Sequence, residues 1–175
     1  MTEDLIADDA VAQAHNADIE YFVRRGMTKG YQLASLLTPV VYTVFATTRY
    51  GRSHINVNRL LRATWMGGSF GIVGGGAFEY ARSAYSNPEK VRIRRFRTAY
   101  DTSSLRADDH STIGGILFAV ITPALFWKRA NSLNLILGGA GIGSAIGLIA
   151  HHARTVTGDP APTVPVPEIP PVASP

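Results

Sequence analysis

The chain is 175 residues long, enough for one domain of ordinary size, and carries a net charge of +4 from 17 Lys and Arg against 13 Asp and Glu. With no cysteine it has no disulfide framework, no thiol nucleophile and no Cys-ligated zinc. Its hydrophobic content of 46% would suit a soluble domain, but that average mixes four apolar blocks with charged connectors.

The first 20 residues, MTEDLIADDAVAQAHNADIE, hold six acids and no Lys or Arg. This is the reverse of an Arg-rich mitochondrial presequence and lacks the basic-then-apolar order of a secretory signal, so targeting information is expected to be internal. Residues 4–25 predict an amphipathic helix, with Val11, His15, Ile19, Phe22 and Val23 at three- and four-residue spacing and acids on the other face. Arg24, Arg25 and Lys29 then suit a headgroup zone or a solvated helix, and Gly26 and Gly30 allow a bend before the first apolar block.

Four blocks follow without a formal charge: residues 30–48, 63–78, 111–127 and 132–150. Crossing about 30 Å of hydrocarbon takes roughly 20 helical residues, with about 17 as the lower limit. Each block reaches that length when extended by amphipathic residues such as Tyr50, Tyr80, Arg82, Lys128 and Arg129, whose side chains snorkel to the headgroups. The expected spans are 30–50, 63–84, 111–129 and 132–152, within a domain of residues 30–155. A soluble bundle would carry Lys and Glu on one face of each helix, whereas these blocks are apolar all round. The fold class is therefore an all-α membrane protein with four transmembrane helices, an acidic N-terminal segment over 1–29 that contains the amphipathic helix, and a proline-rich tail over 156–175.

Glycine placement is the most specific pattern. Gly67, Gly71 and Gly75 in the second block, and Gly139, Gly143 and Gly147 in the fourth, each repeat every four residues. In lipid, helix association depends on close backbone approach, which small residues at this interval permit. Gly115 and Ala119 give the third block a weaker version, and Ala34 and Thr38 do the same in the first. A dinucleotide site at GIVGGGAF is rejected because the flanking strand, helix start and downstream acid are missing. Pro39 and Pro123 should kink the first and third spans.

The connectors are basic. The first holds Arg49, Arg52, Arg59 and Arg62. The second holds Lys90, Arg92, Arg94, Arg95 and Arg97 alternating with Val91, Ile93 and Phe96, a pattern of an exposed strand or an interfacial segment against anionic lipid. These cations are candidate lipid or partner contacts, and a nucleic-acid reading of RIRRFR is set aside. Glu79 and Arg82 are spaced to pair on one helix face. KRANS is tight enough to make the last two helices an antiparallel hairpin. From Asp159 onward the chain contains seven of the ten prolines and predicts an extended strap or a free tail, reaching on the order of 50 Å.

No catalytic constellation is present. His151 and His152 are adjacent and point about 100° apart on a helix, which does not make a metal pair. Asp108, Asp109 and His110 have no paired nucleophile, and Asp109 or Ser111 serves more simply as the N-cap of the third span. No catalytic, metal, cofactor or small-molecule site is assigned, and a solute transporter ranks last because the spans hold so few polar groups.

Four spans, glycine-lined second and fourth helices, a long second connector and Arg106-Ala-Asp108-Asp109 before Gly114-Gly115 together resemble the Tim family of mitochondrial inner-membrane proteins. That family includes translocase channel subunits and a four-helix accessory subunit of respiratory complex I. Its Arg, acid and small-Gly motif matches Arg106, Asp109, Gly114, Gly115 and Ala119, with a shorter spacer and Ala in the last position. The DD-before-GG order and the glycine-rich fourth helix are more similar to the complex I accessory subunit. The resemblance implies an inner-membrane location, neighbouring subunits and an anionic lipid such as cardiolipin as partners, a structural role without catalysis, and termini in the intermembrane space. Charge counting does not settle orientation, since the first and third connectors together hold six Lys or Arg and the second alone holds six from Lys90 to Arg106; the positive-inside rule weakly places the second connector and the termini inside instead.

Overall fold

The computed structural model describes residues 2–51 and 55–167, and among these the chain forms five helices and no strand. Helix α1 spans Thr2–Tyr50, α2 Val57–Ala84, α3 Pro88–Ala99, α4 Thr102–Phe126 and α5 Ser132–Val156. At 49 residues α1 is about 73 Å long. It passes Gly26 and Gly30 without a break, so the bend expected there is absent. Both glycines are instead buried or half-buried against α2. The helix also continues past Pro39 and ends at Gly51, whose φ of 80° is the left-handed conformation that closes a helix C-terminus.

Short polar side chains start the remaining helices. Asn56 accepts from the Asn58 N–H, Asn87 from the Glu89 N–H and Asp101 from the Ser104 N–H. Two expectations are corrected by these caps. Residues 88–99 are helix, not strand, because Asn87 caps and Pro88 presets the first turn of α3. The helix expected to start at 111 starts at Thr102, capped by Asp101 and not by Asp109 or Ser111, which lie inside α4.

Helices α1 and α2 run antiparallel, with Gly26 against Gly75, Gly30 against Gly71 and Thr38 against Gly67. Helices α4 and α5 form the expected antiparallel hairpin, with Gly114 against Gly143 and Thr122 against Gly139. The pairs join where α5 lies on α2, Gly138 meeting Leu61 and Gly141 meeting Thr64. At that joint Asn58 Oδ1 accepts from Asn134 Nδ2 at 2.7 Å, while Asn134 Oδ1 accepts from Trp65 Nε1 at 2.9 Å. The N-terminal half of α1 projects past the bundle, and α3 packs along it through ion pairs and ring contacts.

The bundle interior mixes small polar side chains with two leucines: Ser35, Thr64, Ser83, Leu61 and Leu135 are fully buried, and Ser111 and Ser144 bond to each other at 2.6 Å. Large apolar side chains point outward on every long helix, among them Val40 and Val41 on α1, Phe70 and Val73 on α2, Val120 and Leu125 on α4, and Ile149 on α5. By length and composition, two helices, α4 and α5, are apolar enough to cross a membrane. Neither α1 nor α2 reaches that level of hydropathy, since the uncharged stretch of α1 is diluted by Tyr31, Gln32, Ser35, Thr38 and Tyr42 and that of α2 by six glycines, which have no side chain to contribute.

Candidate functional site

The polar side chains converge at the end of the bundle where α4 begins and α5 finishes. Asp108, one turn inside the polar start of α4, accepts from Lys29 Nζ at 2.7 Å and from Gln32 Nε2 at 2.6 Å. One turn earlier, Arg25 donates to Ser104 Oγ at 2.7 Å. These three bonds hold α1 to α4, which otherwise stand apart. Between them and α5 opens a cleft of about 1060 Å³, with Lys29, Gln32, Ser104, His151 and His152 toward the outer end and Leu33, Leu36, Leu148 and Ile149 toward the bundle centre.

Beside the cleft the imidazoles of His110 and His151 lie 5.7 Å apart and those of His151 and His152 lie 5.3 Å apart. Among the described residues no group of three or more His, Asp or Glu is arranged to hold a metal ion. Arg106 and Arg154 both engage Asp159, at 2.7 and 3.1 Å, just beyond the end of α5. The Arg106 hydrogen bond and charge hold the Asp159 carboxyl below the usual carboxylate range. Thr102 donates to the Pro162 carbonyl, so the tail from 159 to 162 is tied back onto the start of α4. Residues 168–175 of the expected strap lie outside the described residues.

The motif residues have separate surroundings. Arg106 anchors the tail, Asp109 is exposed, and Gly114 makes the tight backbone approach to Gly143. The expectation for Gly115 is corrected here. An added Cβ there would stand 3.4 Å from the Ala140 carbonyl, at the edge of ordinary contact, so Gly114 carries the close crossing and Gly115 does not. Ala119 is half-buried. Gly67, Gly71, Gly75, Gly139, Gly143 and Gly147 all sit at crossings where a Cβ would collide. Gly26, Gly30, Gly68 and Gly76 belong to the α1–α2 crossing, Gly26 and Gly30 extending the four-residue interval of Ala34 and Thr38, while Gly138 and Gly141 serve the joint of α5 on α2.

The basic residues divide into two groups. Arg94 pairs with Glu79 and donates to Ser83, with its guanidinium 3.7 Å from the Phe22 ring centroid. Arg95 pairs with Asp18, which is buried on the very face of α1 expected to be apolar. Both fasten α3 to its neighbours in addition to their expected role as lipid or partner contacts, and Arg95 keeps 43% of its side chain exposed. Arg92 is half-buried beside Phe96. Arg49, Arg59, Arg62, Lys90 and Arg97 are free of ion pairs among the described residues, all of them exposed; Arg52 lies outside the described residues. Glu79 does approach Arg82, at 3.7 Å, but Arg94 is its nearer partner.

No family profile, curated protein or solved structure matches the chain.

Proposed function

We propose that all four long helices cross a bilayer and that the protein is a non-catalytic structural subunit of a membrane complex. The observation that carries this reading is the distribution of side chains: large apolar residues face outward on every bundle helix, while the interior holds mostly glycine, serine and threonine, with Leu61 and Leu135 as its large apolar side chains. A soluble bundle buries its Leu, Ile and Phe and seldom exposes an apolar patch beyond a few hundred Å². In lipid the outward face needs no cover, and close helix approach supplies the cohesion. From Leu33 to Phe45 on α1 and from Met66 to Phe78 on α2, exposed apolar residues extend over about 18 Å of helix, flanked by Tyr50 and Tyr80 where an interfacial aromatic belt belongs.

By the Tim-family resemblance we assign the subunit to a respiratory complex of the mitochondrial inner membrane, complex I before others. Its free cations Arg49, Arg59, Arg62, Lys90 and Arg97 contact anionic lipid or neighbouring subunits. The test is a native gel of detergent-solubilised membranes with mass spectrometry of the band that contains this chain. Complex I subunits should co-migrate with it, and migration alone, or a complete complex I that lacks it, rejects the assignment. A second reading, a component of a preprotein translocase, has the cleft between α1 and the α4–α5 hairpin in its favour. Crosslinking of an arrested precursor to cleft residues supports that reading, and normal import after depletion rejects it.

A further inference from the structure

The cleft between α1 and the α4–α5 hairpin has a chemical gradient along its length. Lys29 and Gln32 come before Leu33 and Leu36 on α1, and His152 and His151 come before Ile149 and Leu148 on α5, where Ala153 and Val156 line the outermost turn beyond the imidazoles. The gradient runs from a headgroup level into the band of exposed apolar side chains.

At the level where the two chemistries meet sits His151. It is 4% exposed and lines the cleft, yet its ring has only two other imidazoles beside it and receives no hydrogen bond among the described residues. Its nitrogens are not among the fully buried unpartnered atoms, so they open to the cleft and are available to a group placed there. Lys29, across the cleft, uses one proton on Asp108 and keeps a third of its side chain exposed, at 36%. It therefore has donors left for a second acceptor.

We propose that this cleft holds one glycerophospholipid molecule, its phosphate diester between Lys29 and His151 and an acyl chain along Leu36 and Leu148. A phosphate offers acceptor oxygens to an ammonium and an imidazole N–H. The volume of about 1060 Å³ accommodates a headgroup with part of its chains and is far larger than an ordered water cluster needs. The lipid fills the gap between α1 and α4, where three polar bonds at the rim are otherwise the main connection. The proposal rests on the reading of the bundle as membrane-spanning.

The full chain is incorporated into nanodiscs of phosphatidylglycerol, phosphatidylcholine and the phosphate-free digalactosyldiacylglycerol in equal parts, released, and weighed by native mass spectrometry. One phospholipid should stay bound, with the glycolipid retained about tenfold less, the worth of one charge-assisted hydrogen bond. His151→Phe keeps the ring shape and removes the nitrogens, and should lower phospholipid retention by about tenfold. Leu148→Trp blocks the apolar end without touching a charge and should abolish retention, while Leu125→Trp, the same change on the outward face of α4, should behave as wild type. Equal retention of phospholipid and glycolipid, or undiminished retention in Leu148→Trp with native helicity, overturns the lipid site and leaves the membrane reading standing. A chain that does not enter nanodiscs at all overturns both.

Discussion

A Cβ added at Gly71 would meet the Gly30 carbonyl and the Ala34 side chain, and the backbone carbonyl is not the free end of a flexible chain that can step aside. Gly71→Ala should therefore separate α1 from α2 and destabilise the bundle by about 1–3 kcal/mol, measured by denaturant titration in mild detergent. Three residues on, Gly74 has nothing within 4 Å of the added methyl, so Gly74→Ala should be neutral or stabilising by about 0.5–1 kcal/mol through helix propensity. The four-residue interval identified Gly71 in the sequence, but it could not identify its partners. Gly30 resembled a hinge because it precedes the apolar block, although Gly26, Gly30, Ala34 and Thr38 continue the same four-residue interval and together face α2. A second residue-scale prediction concerns Asp159. Its carboxyl is held below the usual value of 3.8 by Arg106, so the tie it makes is complete above that value and is lost as pH falls through its lowered pKa. A spin label at Val164→Cys should be restrained at neutral pH and freed in strong acid, whereas Asp159→Asn should free it at every pH.

Helix α3 is fastened at two points along α1, through Arg95 to Asp18 and through Arg94 to Phe22. A third attachment, Arg94 to Glu79, reaches the end of α2. Glu79→Gln removes the charge that Arg94 pairs with and leaves a half-buried guanidinium undercompensated. Hydrogen exchange across residues 88–99 should then accelerate by about tenfold, as expected for a loss near 1.4 kcal/mol in a charged hydrogen bond, while exchange in α5 stays unchanged. Unchanged exchange in α3 would mean that the Arg95–Asp18 pair and the contacts of Arg94 with Phe22 and Ser83 hold it without Glu79. This helix was readable in principle. Asn87-Pro88-Glu89 is a helix-start signal, and the alternation of cations with Val91, Ile93 and Phe96 obscured it by imitating a strand. The early start of α4 was hidden for another reason: its first nine residues are polar apart from Leu105 and Ala107, and an apolar-block criterion registers only the uncharged part of a helix. The α4–α5 hairpin was readable from KRANS because so short a connector leaves the two helices no alternative to lying side by side.

Across the whole molecule, the course of the four long helices fixes a sidedness that can be tested directly. Helix α1 descends from Gly26, α2 returns to Gly75, α4 descends from Gly114 and α5 returns to Gly147, so the N-terminal half of α1, helix α3 and the start of the tail share one end. The opposite end has only the two short connectors. If all four helices span the bilayer, single cysteines at Ala10, Tyr85 and Val164 should react with an impermeant maleimide from the same side, and a cysteine at Arg129 only from the other. The chain's lack of native cysteine makes such labelling unambiguous. Cysteines at Val41 and Val73, 62% and 70% exposed in the absence of lipid, should be shielded in membranes and become reactive in denaturing detergent. A two-span arrangement, with only α4 and α5 embedded, would keep Val41 and Val73 reactive toward the aqueous reagent and would place Tyr85 and Val164 on one side with α1 wholly exposed. The two outcomes differ at Val41, since α1 is long enough either to cross the membrane or to lie outside it, and composition alone ranks it below α4 and α5. The outward set of Val, Leu and Phe on α1 argues for burial in lipid. The reactivity of one cysteine at Val41 therefore separates four spans from two.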